Sequence, residues 1–384
     1  MVTAVRRGAS VRTVAREFRV SRCTVQRWLD RAKGQRLDRV DFGSRRRGPC
    51  RAVNRTSPSV EARVVSIRRR LERSSALGDC GAAAIHQTLE EQHARRIPSV
   101  RTIGRILVRQ GVLDGRRRQR FPAPPRGWYL PDLAQGRAEL DAVDIIEDLV
   151  IEGGHGVDVL NVFSLFGHLP GSWPMAEMTA KTVANRLIGH WREVGLPTFA
   201  QFDNDTRFQG PHQFPDAVGR VSRLCLQLGV TPVFTPPRET GFQAIIENFN
   251  GRWRRKVWGR FHHRSVAQLE HRSDRFVAAL RTKNAIHIGS APLRTPVPDG
   301  WSLDLQVPLR GRIIFLRRTT ERGSVELMGH HFRVERDWPH RLVRCEVDLT
   351  QETIRFFGLR RQKPNDQRLL REVEHAIPHK DFHE

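Results

Sequence analysis

The chain has 384 residues and carries 66 Lys and Arg against 41 Asp and Glu, a formal net charge of +25. A chain of this length can bury two or three separate cores without a disulfide or a metal. Its five cysteines show neither Cys-x-x-Cys nor paired Cys-and-His spacing, so no zinc site or disulfide framework is indicated. No apolar stretch has the roughly eighteen residues of a membrane span, and no secretory signal is recognisable, so we expect a cytoplasmic protein.

The positive charge is concentrated in the first third of the chain. Residues 1–127 hold 31 basic and 10 acidic side chains, an excess of 21. A region that binds nucleic acid by neutralising phosphates has this bias. Arginine outnumbers lysine, which suits bidentate contacts with phosphate and guanine. A merely basic surface would have the same composition, so charge alone does not decide between the two explanations.

Residues 1–35 are predicted to form a helix-turn-helix module. Apolar side chains in residues 11–18 recur at the spacing of one helix face. Ser21 is a favourable N-cap for a second helix, which in this plan enters the major groove of DNA. A plain helical hairpin has the same periodicity, but the surrounding charge favours DNA binding. The side chains expected to contact DNA are Arg22, Thr24, Gln26 and Arg27.

Two further basic segments and a second helical region follow. A linker over residues 36–57 is expected to lie along phosphates through Arg45, Arg46 and Arg47. Three helical patterns in residues 58–115 resemble a second helix-turn-helix. Its expected recognition helix carries an arginine stripe, for which a solvated helix face is the alternative: Arg101, Arg105 and Arg109. A basic, proline-rich connector over residues 116–130 ends the region.

Residues 131–290 are predicted to form an α/β core. Two neighbouring strands come first, and alternating helices and strands follow, which indicates a mixed five-stranded sheet with helices packed on it. Three acids occupy defined places in this order. Asp144 lies in the first strand, Asp203 ends a later strand, and Glu247 lies in the first turns of the helix after it.

The segments around these acids resemble a known family. Residues 139–144 resemble the first-strand aspartate motif of ribonuclease-H-like integrases, and residues 201–208 are similar to their Asp-Asn-Gly-x-x-Phe strand end. Residues 245–251 resemble their helix-borne glutamate, which a polar residue, an aromatic residue and Asn-Gly follow. The resemblance covers about residues 130–290. Together with the N-terminal modules, the chain resembles a bacterial insertion-sequence transposase of the retroviral-integrase superfamily.

This resemblance implies a D-D-E polynucleotidyl transferase that cleaves DNA and performs strand transfer at transposon ends. Asp144, Asp203 and Glu247 would bind two Mg²⁺ or Mn²⁺ ions, which activate the nucleophile and stabilise the leaving 3′-oxygen. The implied partners are double-stranded DNA and further copies of the chain, associated with the nucleoid, with no membrane and no small-molecule substrate. A catalytically inactive DNA-binding regulator and a nuclease of the same fold without strand transfer remain alternatives.

The sequence departs from the family pattern at three points, one of them Ala244, where a glycine often precedes the glutamate. Asp205 stands where the motif usually has glycine, and the 43 residues between Asp203 and Glu247 exceed the common spacing. Asp141 is therefore an alternative first ligand and Glu239 an alternative third ligand. Glu247 is preferred because a helix fixes a ligand better than a glycine-flanked loop. The basic residues that continue its helix are expected to bind phosphates near the cut: Arg254, Arg255 and Lys256.

The last part of the chain is rich in short strand patterns. Five such runs within residues 305–363 are separated by turn residues and predict a small, SH3-like β-barrel. In integrase relatives a domain in this position binds DNA or a neighbouring subunit, and a purely structural barrel is the alternative. Residues 364–384 are expected to be a tail.

Overall fold

The computed structural model describes residues 1–43, 56–94, 97–113, 126–239, 241–361, 363–378 and 382. The chain divides into two compact units, residues 1–62 and 63–384. Arg45, Arg46 and Arg47, and most of the predicted connector, lie outside the described residues. Among the described helices, none combines the length and the apolar character that a membrane span requires.

Three short helices form the first unit up to residue 43. Ser10 and Ser21 cap the second and third helices, because each hydroxyl oxygen accepts a hydrogen bond of 3.1 Å from the backbone N–H three residues later. Val14 and Val25 are fully buried between these two helices. The predicted helix pair and its Ser21 cap are confirmed, whereas the first helix was not predicted. The helices are α1 (Val2–Arg6), α2 (Val11–Glu17) and α3 (Arg22–Ala32).

A second group of three helices confirms the three helical patterns predicted in residues 58–115. The helices are α4 (Pro58–Ser74), α5 (Ala82–Glu91) and α6 (Val100–Arg109). Ser99 caps α6 by accepting a hydrogen bond from the Thr102 backbone N–H at 3.3 Å. Apolar side chains from all three helices share one small core: Val64, Ile67, Ile85, Leu89, Ile103, Ile106 and Leu107.

The central region is a mixed sheet with helices on both faces, which confirms the predicted α/β core. Its five strands lie in the order β3-β2-β1-β4-β5. β1, β2 and β3 are antiparallel neighbours, and β4 and β5 run parallel to β1. The elements are α7 (Pro131–Ala134), β1 (Leu140–Val150), β2 (Gly156–Ser164), β3 (Pro170–Met175), α8 (Ala180–Val194), β4 (Phe199–Phe202), α9 (Thr206–Gln209), α10 (Arg220–Gln227), β5 (Thr231–Phe234), α11 (Ala244–Lys256), α12 (Val266–Lys283) and α13 (Ala285–Ser290).

The two faces of the sheet bury separate cores. Helices α8 and α10 cover one face, where Val143 of β1 packs against Leu187 and other apolar side chains. Helices α11 and α12 cover the other face, where Ala142 and Ile146 of β1 pack near Phe249. Because side chains alternate along a strand, the odd-numbered residues at the start of β1 face α8 and the even-numbered ones face α11.

The C-terminal strands differ from the predicted barrel. β6 pairs in parallel with β5, so the sheet continues to nine strands in the order β11-β10-β9-β6-β5-β4-β1-β2-β3, and β7 and β8 form a separate pair. Among the described strands, the five core strands do not form a sheet of their own, and no separate barrel occurs over residues 305–363. The physical reason is the run Ile313, Ile314, Phe315 and Leu316, which is buried on both faces like a central strand. The strands are β6 (Arg312–Arg318), β7 (Ser324–Leu327), β8 (His330–Arg333), β9 (Leu342–Asp348), β10 (Thr353–Gly358) and β11 (Leu369–Glu374).

Two segments predicted to be outside any core belong to the folded region. β11 lies within the predicted tail and pairs antiparallel with β10. Trp128, Tyr129 and Leu130, at the end of the predicted connector, are buried in the core beneath α11. The hydroxyl of Tyr129 donates a hydrogen bond to the side-chain oxygen of Gln201 on β4. Aromatic packing thus continues the core to residues that the proline and arginine content assigned to a linker.

Candidate active site

The sheet brings Asp144 and Asp203 to the same level. β1 and β4 are parallel neighbours, with Ala142 opposite Gln201. Two residues further along each strand are Asp144 and Asp203, the latter directly after β4 ends. Glu247 lies in the first turn of α11, which packs on the face of β1 and β2 that Asp144 also occupies. The three acids predicted to act together therefore come from neighbouring elements at the carboxyl end of β4.

The charges of the other two acids act on Asp144. The pKa of Asp144 is raised to about 7, first by burial and then by the negative charges of Asp203 and Glu247. Burial also raises the pKa of Asp203. Glu247 is exposed at the surface. The site is thus a partly buried group of acids whose like charges favour the binding of cations.

Asn250 holds Asp144 in place, a role that was not predicted from the sequence. Its side-chain amide donates a hydrogen bond of 2.6 Å to Asp144 Oδ2. Its oxygen accepts one of 2.8 Å from Asn161, which lies opposite Asp144 on β2. The Oδ1 atom of Asn161 is buried without a hydrogen-bond partner among the described residues. Asn250 is three residues after Glu247, so helical spacing was the signal that places both on one face of α11.

The additional acid, Asp205, has its own cation. Burial opposes its ionisation, but hydrogen bonds from Arg207 lower the pKa of Asp205 overall. Its carboxylate accepts from the Arg207 backbone N–H at 2.8 Å and from Nε at 2.9 Å. Arg207 also forms an ion pair with Glu147 of β1. The aspartate that replaces the glycine of the family motif therefore caps α9 and is neutralised locally.

The two alternative ligands are occupied by other partners. Asp141 is fully buried on the α8 face, where Arg294 forms an ion pair with it and the Trp191 indole N–H donates a hydrogen bond of 3.0 Å. Glu239 forms an ion pair with Arg318 at the end of β6. Asp141 thus faces away from α11, and Glu239 is already paired with a cation. Both observations favour Asp144 and Glu247.

The donor set suits hard divalent cations. Mg²⁺ and Mn²⁺ prefer carboxylate oxygens, which Asp144, Asp203 and Glu247 supply. The raised pKa of Asp144 fits such a site, because a bound cation would relieve the like charges that oppose its ionisation. The residues present therefore fit the metal ions that the family resemblance implies.

The predicted DNA-contacting side chains of α3 lie mostly on its surface. Arg22, Gln26 and Arg27 are exposed. Gln26 donates a hydrogen bond of 3.0 Å to Asp30, the next turn of the helix. Thr24 is half-buried, and its hydroxyl is 2.8 Å from that of Ser21, so it completes the N-cap. Thr24 therefore has a structural role in addition to the predicted contact.

The predicted basic residues of α6 and α11 differ in their availability. Arg101, Arg105 and Arg109 are exposed on α6, opposite its buried apolar side. Arg254 and Arg255 are exposed on α11. Lys256 instead donates a hydrogen bond to the backbone carbonyl of Gly78, between α4 and α5. One of the three donors of its ammonium group is thus engaged within the protein, and the contact of Lys256 with phosphate stays a prediction.

Comparisons with known proteins give one match to a family model and several to solved structures. Residues 1–40 match the model of a homeodomain-like helix-turn-helix family. The catalytic core domain of BIV integrase is similar at 15% identity, with a TM-score of 0.28, over 36% of this chain and 81% of that one. The magnesium-bound HTLV-2 integrase catalytic core is similar at 11% identity, with a TM-score of 0.27, over 42% and 88%.

A third similar structure is an intasome of simian T-cell lymphotropic virus in complex with a PP2A regulatory subunit. It shares 13% identity with a TM-score of 0.34, over 82% of this chain and all of that one. Similarities at this level carry no argument about activity. The chain therefore combines a homeodomain-like helix-turn-helix domain at its N-terminus with a large mixed α/β sheet that brings three predicted acids together.

Proposed function

We propose that this protein is a D-D-E transposase that cleaves phosphodiester bonds at transposon ends and joins the freed ends to target DNA. The observation that carries the proposal is the position of Asp144 and Asp203, level on adjacent parallel strands, with the charges of both Asp203 and Glu247 acting on Asp144. The protein would act as an oligomer, because two ends must be joined in one complex.

The sheet and α11 would together hold the three acids in position to bind metal ions. Asp144 and Asp203 are fixed by the sheet, and Glu247 is fixed by α11, so their oxygens can hold two ions with little rearrangement. When bound, two Mg²⁺ or Mn²⁺ ions would activate the attacking oxygen and stabilise the leaving 3′-oxygen. Asn250 orients the Asp144 carboxylate through its hydrogen bond. In-line displacement by water or a 3′-hydroxyl needs no Ser, Tyr or Cys nucleophile.

The helical regions would bring DNA to these acids. The N-terminus of α3 presents Arg22, Gln26 and Arg27 at a homeodomain-like module, where the second helix of the motif reads base edges. The exposed arginines of α6, the expected recognition helix of the second module, would also contact DNA, and those on α11 would bind phosphates without reading sequence. Base contacts and phosphate contacts are thus assigned to different parts of the chain.

The test is a cleavage and joining assay with the inverted-repeat DNA that flanks the gene, a target plasmid and Mg²⁺ or Mn²⁺. We expect the wild type to give joined products. The variants Asp144→Asn, Asp203→Asn and Glu247→Gln should lose cleavage and joining while they still bind the DNA ends. Glu239→Gln is the matched control, because this acid is paired with Arg318, and it should keep activity.

The outcomes separate the alternatives. Nicked DNA without joined products would indicate a nuclease, and binding without cleavage by the wild type would indicate a regulator. Loss of activity in Glu239→Gln but not in Glu247→Gln would show that Glu239, in the loop before α11, is the third metal ligand. Undiminished cleavage by Asp144→Asn would refute the proposed site.

A further inference from the structure

Three side chains far apart in the sequence meet away from the acids of the proposed active site. Asp216 lies between α9 and α10, His330 is the first residue of β8, and His375 directly follows β11. His330 Nε2 is 3.0 Å from Asp216 Oδ2, and His375 Nε2 is 2.9 Å from Asp216 Oδ1. One ligand atom from each residue lies within 4.8 Å of the others. Two imidazoles and one carboxylate therefore converge on one point.

We propose that Asp216, His330 and His375 form a site for a divalent transition metal ion, with Zn²⁺ as the preferred ion. Imidazole nitrogen and carboxylate oxygen are ordinary zinc ligands, and three protein ligands leave a fourth position for water. Around a tetrahedral ion with bonds of about 2.0–2.1 Å, the ligand atoms are about 3.3 Å apart. The two histidine–carboxylate separations, each to a different oxygen of Asp216, are a few tenths of an ångström shorter than this value. Because one ligand atom from each residue lies within 4.8 Å of the others, side-chain movements without a change of the backbone would admit the ion.

The backbone already holds the three ligands in place. The Asp216 N–H donates a hydrogen bond of 3.1 Å to the carbonyl of Met328, at the turn before His330. The His375 N–H donates one of 2.8 Å to the carbonyl of Glu352. The same turn approaches the Asp216 loop closely, because a Cβ on Gly329 would lie 3.0 Å from the Cα of Pro215. The ligands are thus preorganised before any ion binds.

The backbone of Asp216 also supports a specific requirement at this position. Its φ angle is +61°, in the left-handed region, which a residue with a side chain adopts at some cost. Such strain persists where the surroundings fix the conformation, and here it directs the carboxylate toward both imidazoles. The His330 side chain remains 38% exposed, which gives an ion access from solvent.

This site differs in chemistry from the acidic group at Asp144. Nitrogen-rich donor sets favour Zn²⁺ and related ions, whereas sets of carboxylates alone favour Mg²⁺ and Mn²⁺. A bound ion would join the Asp216 loop, the β7–β8 pair and the end of β11. Its expected role is therefore to stabilise the C-terminal strands against the core. The proposal does not depend on the transposase function.

The test uses the full chain without a histidine tag, stripped with a chelator, incubated with Zn²⁺ and excess Mg²⁺, and gel-filtered before metal analysis. We expect about one zinc ion per chain, and a Tm several degrees above that of the metal-free protein. Co²⁺ in place of Zn²⁺ should give visible absorption bands. His330→Gln, His375→Gln and Asp216→Asn should each lower the affinity at least about tenfold.

His331→Gln is the matched control, because His331 is the exposed neighbour of His330 on the same strand. It should bind zinc like the wild type. Zinc retention below about a tenth of an ion per chain by the wild type would overturn the proposal. Equal losses in His330→Gln and His331→Gln would also overturn it. If one ligand variant fails to fold, the Co²⁺ absorption spectrum of another ligand variant provides the test. A spectrum unchanged from that of the wild type would show that the substituted residue is not a ligand.

Discussion

Asp141 and Asp144 are three residues apart on β1 but have opposite electrostatic surroundings. Asp141 faces α8 and is fully buried, with the Arg294 guanidinium and the Trp191 indole N–H as partners. Asp144 faces α11, where its side-chain partner is the neutral amide of Asn250 and the nearby charges of Asp203 and Glu247 have its own sign. β1 thus carries an acid whose charge is balanced by a cation on one face, and an acid surrounded by like charges on the other.

The comparison separates structural acids from candidate catalytic ones. A buried carboxylate with its own cation contributes to folding, and breaking the pair leaves a buried charge without a partner. A carboxylate surrounded by like charges costs folding free energy, which a protein recovers when a cation binds from outside. The two faces of β1 should therefore respond in opposite ways to the same Asp→Asn substitution.

The largest expected effect is on activity at the α11 face. Asp144→Asn should lower DNA cleavage at least about a thousandfold, since loss of a metal ligand removes several kcal/mol of transition-state stabilisation. The Tm should stay the same or rise, because an uncompensated charge is removed. Plasmid cleavage and thermal unfolding of the same preparation measure both effects. A marked fall in Tm would mean that Asp144 is a structural acid like Asp141.

The α8 face should show the reverse. Asp141→Asn leaves Arg294 buried without its counterion and should lower the free energy of unfolding by about 3–5 kcal/mol, measured by urea denaturation. Cleavage by the remaining folded protein should be close to that of the wild type. Asp141→Asn combined with Arg294→Met is the control, and it should recover part of the lost stability. A loss below about 1 kcal/mol for the single variant would contradict a structural role.

The helices could be predicted from the sequence because their signals are local, and the three acids, which rest on short local motifs, stay a prediction. The Ser21 cap and the apolar spacing of residues 11–18 depend only on nearby residues, and the structure confirms both. The opposite orientation of Asp141 and Asp144 was also available, because an odd separation along a strand changes the face. The ion pair that occupies Asp141 was not, since it depends on Arg294, about 150 residues away.

What the sequence did not predict depends on long-range packing. The strand patterns of residues 305–363 were largely correct, but their pairing with β5 follows from burial on both faces of β6. The contact of Lys256 with Gly78 and the support of Asp144 by Asn250 join residues more than a hundred positions apart. Asp216 likewise contacts two histidines more than a hundred positions away, His330 and His375. The spacing of cysteines along the sequence could not indicate such a site.

A smaller effect on the α11 face should come from the neutral partner of Asp144. Asn250→Ala removes the hydrogen bond to Asp144, and we expect about a 10–100-fold loss of cleavage. A positioning role predicts that more Mg²⁺ is needed for half-maximal activity, a shift that a merely structural role would not produce. Asn248→Ala is the control, because Asn248 is exposed on the same helix and, among the described residues, its side chain donates a hydrogen bond to its own helix turn at Ala244. An unchanged Mg²⁺ dependence in Asn250→Ala would exclude this role.

The smallest effect is on pH-dependent stability near Asp141. His190 of α8 is buried with both ring nitrogens unpaired among the described residues, and its edge meets Trp173. Burial lowers the pKa of His190 to about 4, with Asp141 and Glu193 opposing the shift and Arg281 and Arg294 adding to it. The unfolded chain, with a pKa of about 6.5, then binds the proton first, so stability falls as the pH decreases from about 6.5 toward 4.

The variant His190→Phe keeps a ring in this position and removes the titration. Between pH 7.5 and 5.5 the wild type should lose about 1 kcal/mol of unfolding free energy relative to the variant, measured by urea denaturation at each pH. Equal losses in both proteins would show that burial, with the charges of Arg281 and Arg294, does not keep His190 neutral. Protonated His190 would then be a second cation beside Asp141 on the α8 face. Arg294 alone would not fully compensate the charge of Asp141.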